Sequence, residues 1–334
     1  MKKCNVNSVA SGEFKFIERY FENLTPQSGV TLGIGDDGAL ISPEEGCETS
    51  VVVSMDTIVE AVHFPSRSSA YDIARRALCV NLSDLAAMGA IPRWFTLAMI
   101  MPPALASDQW LEGFSRGLGE IAHRYQCALI GGDMTRGDLA LSVTAIGQVP
   151  LGHEISRSGA KPGDRIYVTG TLGDGAAALH ILSGKIQTDQ DQRLFEHFYA
   201  PTPRISEGVL LRKLASACID VSDGLVSDLY HICTKSCVGA DINLSRLPIH
   251  PNVKRKFPKY CNKWALSGGD DYQLCFTVPE NRQTKIERLI NEGIIDATMI
   301  GRIQSGRSIC LIDEQGNRVV TEPDTEFQGY NHFV

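Results

Sequence analysis

Paired cysteines, long apolar runs and an excess of basic charge are all missing from this chain of 334 residues. The ten cysteines are scattered, with no C-x-x-C pair and no signal peptide before them. That pattern excludes a disulfide framework and predicts reduced thiols in a cytoplasmic protein. Only Cys233 and Cys237 share helical i,i+4 spacing, and without a second pair at zinc-site distance they read as small apolar residues on a buried helix face. The longest apolar stretch, around "WFTLAMIMPPALA", is broken by Pro102 and Pro103 and is too short to span a bilayer. A formal charge of -7 leaves no basic surface for nucleic acid, so the phosphate of any ligand must be neutralised by something other than clustered Lys and Arg.

What is present suits two α/β domains, 1–150 and 151–334, with 43% apolar residues to fill their cores. Phe14, Ile17, Tyr20, Phe21 and Leu24 recur at helical spacing, and "VTLGIGDDGALIS" then reads as strand, tight acidic turn and strand. "SVVVSMDTIVEAVHF" suits a buried strand ending at Asp56. Residues 68–90 form a long Ala- and Leu-rich helix closed by Gly89, and a second amphipathic helix starts from Ser107 as N-cap. The strand "CALIGGD" leads into a hairpin-like turn and returns as "LALSVTAIGQV". From about residue 150 the alternation of strands and helices begins again.

The segment "GIGDDG" at 33–38 satisfies G-x-G-x-x-G, yet it is not a dinucleotide loop. Only about ten residues, Pro43 and Gly46 among them, precede the next strand, which leaves no room for the helix whose amides would meet a pyrophosphate. Asp36 and Asp37 would also face the phosphates, and like charges near 4 Å repel by roughly 4 kcal/mol at an effective dielectric of about 20. The loop suits cations.

The same chemistry recurs at Asp56, Asp84, Asp133, Asp220 and Asp223, each at a strand end or in an apolar helix context where a lone carboxylate is costly to bury. Singly, such residues are turn formers or caps, and Asp223 fits an N-cap of the helix that follows it. Together they point to a shared hard cation, Mg²⁺, carried with a nucleoside triphosphate. No G-x-x-x-x-G-K-[ST], V-A-I-K or H-R-D pattern occurs, so metal ions take over the neutralisation that a P-loop lysine supplies elsewhere. Asp228, at i,i+5 from Asp223, is assigned to a solvated helix face. "TGTLGDGAAALHIL" fits either an anion at a helix N-terminus or tight strand-to-helix packing. His63 follows the Asp56 strand and is a substrate-contact candidate, while Arg157 is either a loop cation reaching a triphosphate or an exposed hinge residue.

The ordered set "GIGDDGAL", "SMDT", "VHF", "NLSDLAAMGA", "LIGGDMTRG", "RSGAKPGD", "VTGTLGDGAAAL", "IDVSDGL", "ALSGGDDYQLCFTV" and "GYNHF" resembles the thiamine-monophosphate kinase family, within the superfamily of aminoimidazole ribonucleotide synthetase and selenophosphate synthetase. The resemblance runs from about residue 11 to the C-terminus. It implies a two-domain α/β (α+β) fold, dimerisation through the N-terminal domain, and ATP-dependent phosphorylation of thiamine monophosphate without a covalent intermediate. Carried over by position, it implies Mg²⁺ ligands at Asp37, Ser54, Met55, Asp56, Asp84, Asp133, Asp220 and Asp223. It further implies ATP contacts at Gly132, Asp133, Arg157 and Ser222, and substrate contacts at His63, Asp270 and an aromatic, Tyr330 or Phe333. No catalytic side chain beyond the metal ligands is expected, because a phosphate acceptor is already anionic at neutral pH.

Two positions depart from the family's pattern. Asp270, in "GGDD", is one methylene shorter than the usual Glu. Met55 stands where Thr is common; a thioether cannot replace a hard oxygen donor, so a ligand there would be the backbone carbonyl. Two other readings compete: another ATP-using synthetase of the superfamily, against which Cys4 lacks a lysine-bearing glycine-rich setting, and a non-catalytic nucleotide-binding module.

Overall fold

The computed structural model describes residues 30–41, 47–186 and 191–321. The helix expected over 14–24, Tyr330 and Phe333 lie outside the described residues.

The first sheet has the order β1-β2-β3-β6-β4-β5, from Val30–Leu32, Ala39–Ile41, Thr49–Val59, Ala140–Pro150, Ile91–Met101 and Ala128–Arg136 respectively. Strict alternation along β6 buries Leu141, Val143, Ala145 and Val149 on one face, the period-two pattern of a sheet covered on one side only. That face receives helix α1, Ala70–Ala87, with α2, Asp108–Arg124, packed behind it. Ser69 and Ser107 accept from the amides of Asp72 and Trp110 and cap the two helices, the latter as expected from sequence.

Two expectations are corrected here. β3 runs three residues past Asp56, to Val59, because it stays paired with β6 along its whole length. The segment 132–138 is no hairpin turn. β5 pairs parallel with β4, whereas β6 pairs antiparallel with β4 and β3, so the chain crosses over β4 and leaves β5 at the edge. A local turn signal identifies a reversal but not the strand beside which the chain returns.

The second sheet has the order β13-β12-β9-β11-β7-β10-β8. Its strands are β7 (Arg165–Thr169), β8 (Ala217–Asp220), β9 (Gly239–Asn243), β10 (Leu274–Val278), β11 (Ala297–Gln304), β12 (Ile309–Ile312) and β13 (Arg318–Thr321). Helices α3 (Asp174–Leu182), α4 (Gln192–Tyr199), α6 (Leu225–Ser236), α7 (Pro251–Lys256) and α8 (Cys261–Ser267) build the core on one face. Helices α5 (Ile205–Leu211) and α9 (Glu280–Asn291) cover part of the other. Cys233 is buried on α6 as expected, but Cys237 ends that helix in a left-handed conformation and is exposed. No disulfide forms among the described cysteines.

Helix α1 joins the halves. It contacts β3 and β6 of the first sheet and β8 and α5 beyond it, so it is buried nearly all round, polar residues included. The approach of α5 depends on Gly208, where an added Cβ would lie 2.1 Å from the Ala86 carbonyl oxygen. Gly208→Ala is expected to destabilise the protein by about 1–3 kcal/mol through overpacking. By contrast Gly119→Ala, in α2 with no heavy atom within 4 Å of the new Cβ, should stabilise by about 0.5–1 kcal/mol. Denaturant melts of the two variants check the pair, and an unaltered midpoint for Gly208→Ala would contradict this packing.

Candidate active site

Three elements deliver carboxylates to one point. The acidic turn before β2 supplies Asp37, the last turn of α1 supplies Asp84, and the end of β8 supplies Asp220; one oxygen of each lies within 4.8 Å of the others. Each pair of charges at that spacing repels by roughly 3–4 kcal/mol at an effective dielectric of about 20. Burial pushes the Asp84 carboxyl well above its usual range, and Asp56, Asp220 and Asp37 push it further. Asp220 is raised in the same way, by burial and then by Asp37. The carbonyl end of α1 adds negative potential beside Asp84, with no basic residue in that last turn.

Neighbouring hydroxyls fix the geometry. Ser54 Oγ donates to Asp84 Oδ2 at 2.5 Å and Ser83 Oγ to Asp220 Oδ2 at 2.7 Å. Asp56, exposed on β3, donates its backbone amide to Asn81 Oδ1 at 2.8 Å, which ties the strand to α1. The Met55 side chain is 62% exposed and points away from the buried Ser54 and the helix. Arg157 is not an exposed hinge residue. Its guanidinium grips both oxygens of Asp37 at 3.0 and 3.1 Å, and its amide donates to Asp36 Oδ1 at 2.5 Å. One guanidinium against three converging carboxylates leaves a cluster of hard oxygen donors that fits a divalent cation.

Asp223 is not the N-cap of α6; that position is Gly224. Asp228, expected on a solvated face, is 3% exposed, and its Oδ2 accepts from the amides of Ser222, Asp223 and Gly224 at 3.0–3.1 Å. It therefore shapes the loop carrying Ser222 and Asp223. Spacing failed here because a side chain in the first turn of a helix can turn back over the preceding loop.

The loop "GGDDY" lies alongside. Asp270 and Tyr272 both have positive φ, 60° and 49°, held by Asp270 N donating to the Ser222 carbonyl and Tyr272 N to that of Val221. Asp271 is fully buried and accepts from Gly173 N at 2.7 Å and Gly175 N at 3.1 Å. The anion at the N-terminus of α3 is thus the protein's own carboxylate.

Arg76 was invisible to sequence reasoning. It is 1% exposed, lies over the Phe198 ring, and donates to the carbonyls of His63 and Phe198 and to Asp270 Oδ1 at 3.0, 2.7 and 2.5 Å. It thereby couples His63 and Asp270. His63 Nδ1 accepts from Val59 N at 3.0 Å, so a neutral ring carries its proton on Nε2. Gly132 and Asp133 do not join the cluster. Both are exposed on edge strand β5, with β4 and β6 between them and β3.

Residues 35–149 and 161–314 match the family models for the N-terminal and C-terminal domains of AIR synthase related proteins. A thiamine-monophosphate kinase of Escherichia coli (strain K12) is 44% identical over 334 residues, covering 98% of this chain and 99% of its own. The chain belongs to the thiamine-monophosphate kinase family. The crystal structure of the family member from Stenotrophomonas maltophilia K279a is 41% identical with a TM-score of 0.75, covering 92% of this chain and 98% of its own. The structure of AaThiL complexed with AMPPCP and TMP is 30% identical with a TM-score of 0.82, covering 96% and 97%.

The pH response of the cluster has a definite sign. With Asp84 and Asp220 raised in the folded state, these two groups favour the cation-free fold most below their unfolded values, and that contribution is lost as pH rises through the raised ones. A bound cation removes that penalty. Melting temperatures in EDTA should fall between pH 5 and 8, and saturating Mg²⁺ should restore on the order of 5 °C at pH 8 but much less at pH 5. A Mg²⁺ gain equal at both values would rule out these carboxylates as its origin.

Proposed function

We propose that this chain transfers the γ-phosphoryl group of ATP to the phosphate of thiamine monophosphate, giving thiamine diphosphate and ADP. The convergence of Asp37, Asp84 and Asp220 from three separate elements carries this reading, in a chain alike over nearly its whole length to kinases of that name. AaThiL supports both reactants, being described with AMPPCP and TMP.

In this reading Asp37, Ser54, the Met55 carbonyl, Asp56, Asp84, Asp220 and Asp223 hold Mg²⁺. The ions supply neutralisation of the polyphosphate and of the repulsion between two anionic reactants. Arg157 offers its guanidinium beside Asp37, and the loop stapled by Asp228 presents Ser222 to ATP. His63 and Asp270, linked through Arg76, orient thiamine monophosphate. The acceptor oxygen is ionised at neutral pH, so it attacks phosphorus as the bond to the β–γ bridging oxygen breaks, without a general base or a covalent intermediate on the chain.

The functional unit is a homodimer built on the first sheet and housed in the cytoplasm, where a chain with scattered cysteines keeps its thiols reduced. Strand β5 is exposed along its whole length, and Leu129, Ile130 and Met134 on it, with Met55 and Trp94 on the same sheet, are more apolar surface than an isolated subunit ordinarily leaves uncovered. The roles of Gly132 and Asp133 in binding ATP and Mg²⁺ are read together with that dimer, since β5 is the edge it would use.

Incubation of the pure protein with ATP, Mg²⁺ and thiamine monophosphate should yield thiamine diphosphate. Asp84→Asn should lower kcat by at least about 10³ while keeping the wild-type circular dichroism spectrum. Light scattering should read twice the chain mass. Turnover of Asp84→Asn at the wild-type rate, or no diphosphate at any Mg²⁺ concentration, would refute the assignment.

A further inference from the structure

A groove of about 770 Å³ opens on the second sheet, away from the carboxylate cluster. It runs over β9, β11 and β7 beside α9, and β10 separates it from Asp220 on β8. Where α9 ends, nothing among the described residues covers this half of the sheet face.

Its polar groups divide into two classes. Arg165 is paired with Glu287, and Arg318 and Gln304 both bind Asp241, so these charges are already satisfied. Arg246 and Arg302 form no ion pair among the described residues; Arg246 makes only a 3.7 Å contact to the Met299 sulfur. Tyr167 lines the groove with its ring stacked on Phe276 and is 1% exposed. Its buried hydroxyl lies beside the Arg165 guanidinium, which is turned to Glu287, and makes no hydrogen bond within bonding distance among the described residues. Such a hydroxyl is costly to leave unmade, so its presence at the foot of a polar groove points to a ligand atom.

We propose that this groove is a second ligand site, which binds a small phosphomonoester. Two unpaired guanidiniums match a phosphate dianion in charge and in their forked donors. The volume exceeds that of one phosphate, and Ile290, Met299 and Ile312 supply apolar wall for the body of the ligand, with Asn243 and Tyr167 placed for its hydroxyls. The reacting phosphates belong at the carboxylate cluster and are not the ligand here.

Calorimetric titration of the full chain with ribose 5-phosphate and with inorganic phosphate tests this, in EDTA so that the cation-free carboxylate cluster repels anions. Ribose 5-phosphate should bind saturably, and Arg246→Gln/Arg302→Gln should weaken it at least about tenfold. Tyr167→Phe should weaken it several-fold, and the rate of thiamine monophosphate phosphorylation should be unchanged in the arginine variant. Inorganic phosphate binding as tightly as the sugar phosphate would support the anion site and assign it to free phosphate. Arg302→Gln alone, at an exposed position, serves if the double variant does not fold. No saturable binding of either probe, or full affinity in the arginine variants, overturns the proposal.

Discussion

Three carboxylates within 4.8 Å of one another, two of them buried and the third partly so, are the constraint on which the rest of this structure turns. Their mutual repulsion opposes folding, and Arg157 answers only part of it through Asp37. The carboxylates come from the acidic turn, α1 and β8, so the cost is borne where the two halves of the chain meet. Hydroxyls at Ser54 and Ser83, and the Asn81 carboxamide that holds β3, are spent on keeping those elements in register. A buried helix with that many polar residues is unfavourable for a purely structural element. It becomes intelligible when α1 is the rigid bar along which a cation site is assembled.

The same bar extends to the other end of the site. Arg76 sits two turns before Asp84 on α1 and reaches His63, Phe198 and Asp270 from a fully buried position. The "GGDDY" loop is held in positive-φ conformations by backbone bonds to the Ser222 loop, and Asp271 pins it to the start of α3. Asp270 is therefore fixed by its neighbours on both sides and by a guanidinium. Its carboxylate, shorter by one methylene than a Glu would be, still meets the buried Arg76 guanidinium.

Legibility followed the length scale of each interaction. Asp220 at the end of β8, the caps at Ser107 and Gly89 and the exclusion of a dinucleotide helix were readable, because each is a local pattern with a local physical cause. Short elements such as β9, α5 and α7 were not, since they carry too few residues for a period to show. Arg76 was missed because an arginine beside another arginine in a helix reads as surface, and only the fold reveals three acceptors converging on it. Asp228 failed in the same way. Arg157 could be read as mobile or as a ligand contact, but its grip on Asp37 joins residues 120 positions apart, beyond any motif.

Both sheets leave one face partly bare, and the chemistry of the two faces differs. On the first sheet the bare face and the open β5 edge together offer Met55, Leu129, Ile130 and Met134, which water penalises and a second protein surface would cover. On the second it offers Arg246, Arg302 and a buried phenol that makes no hydrogen bond within bonding distance among the described residues, groups that a small anion would satisfy. The covered faces, by contrast, are alike in being packed by helices around apolar side chains. An α/β sheet needs only one well-packed face to fold, so the other is free to differ; here one bare face is suited to joining a copy of the chain and the other to holding a ligand.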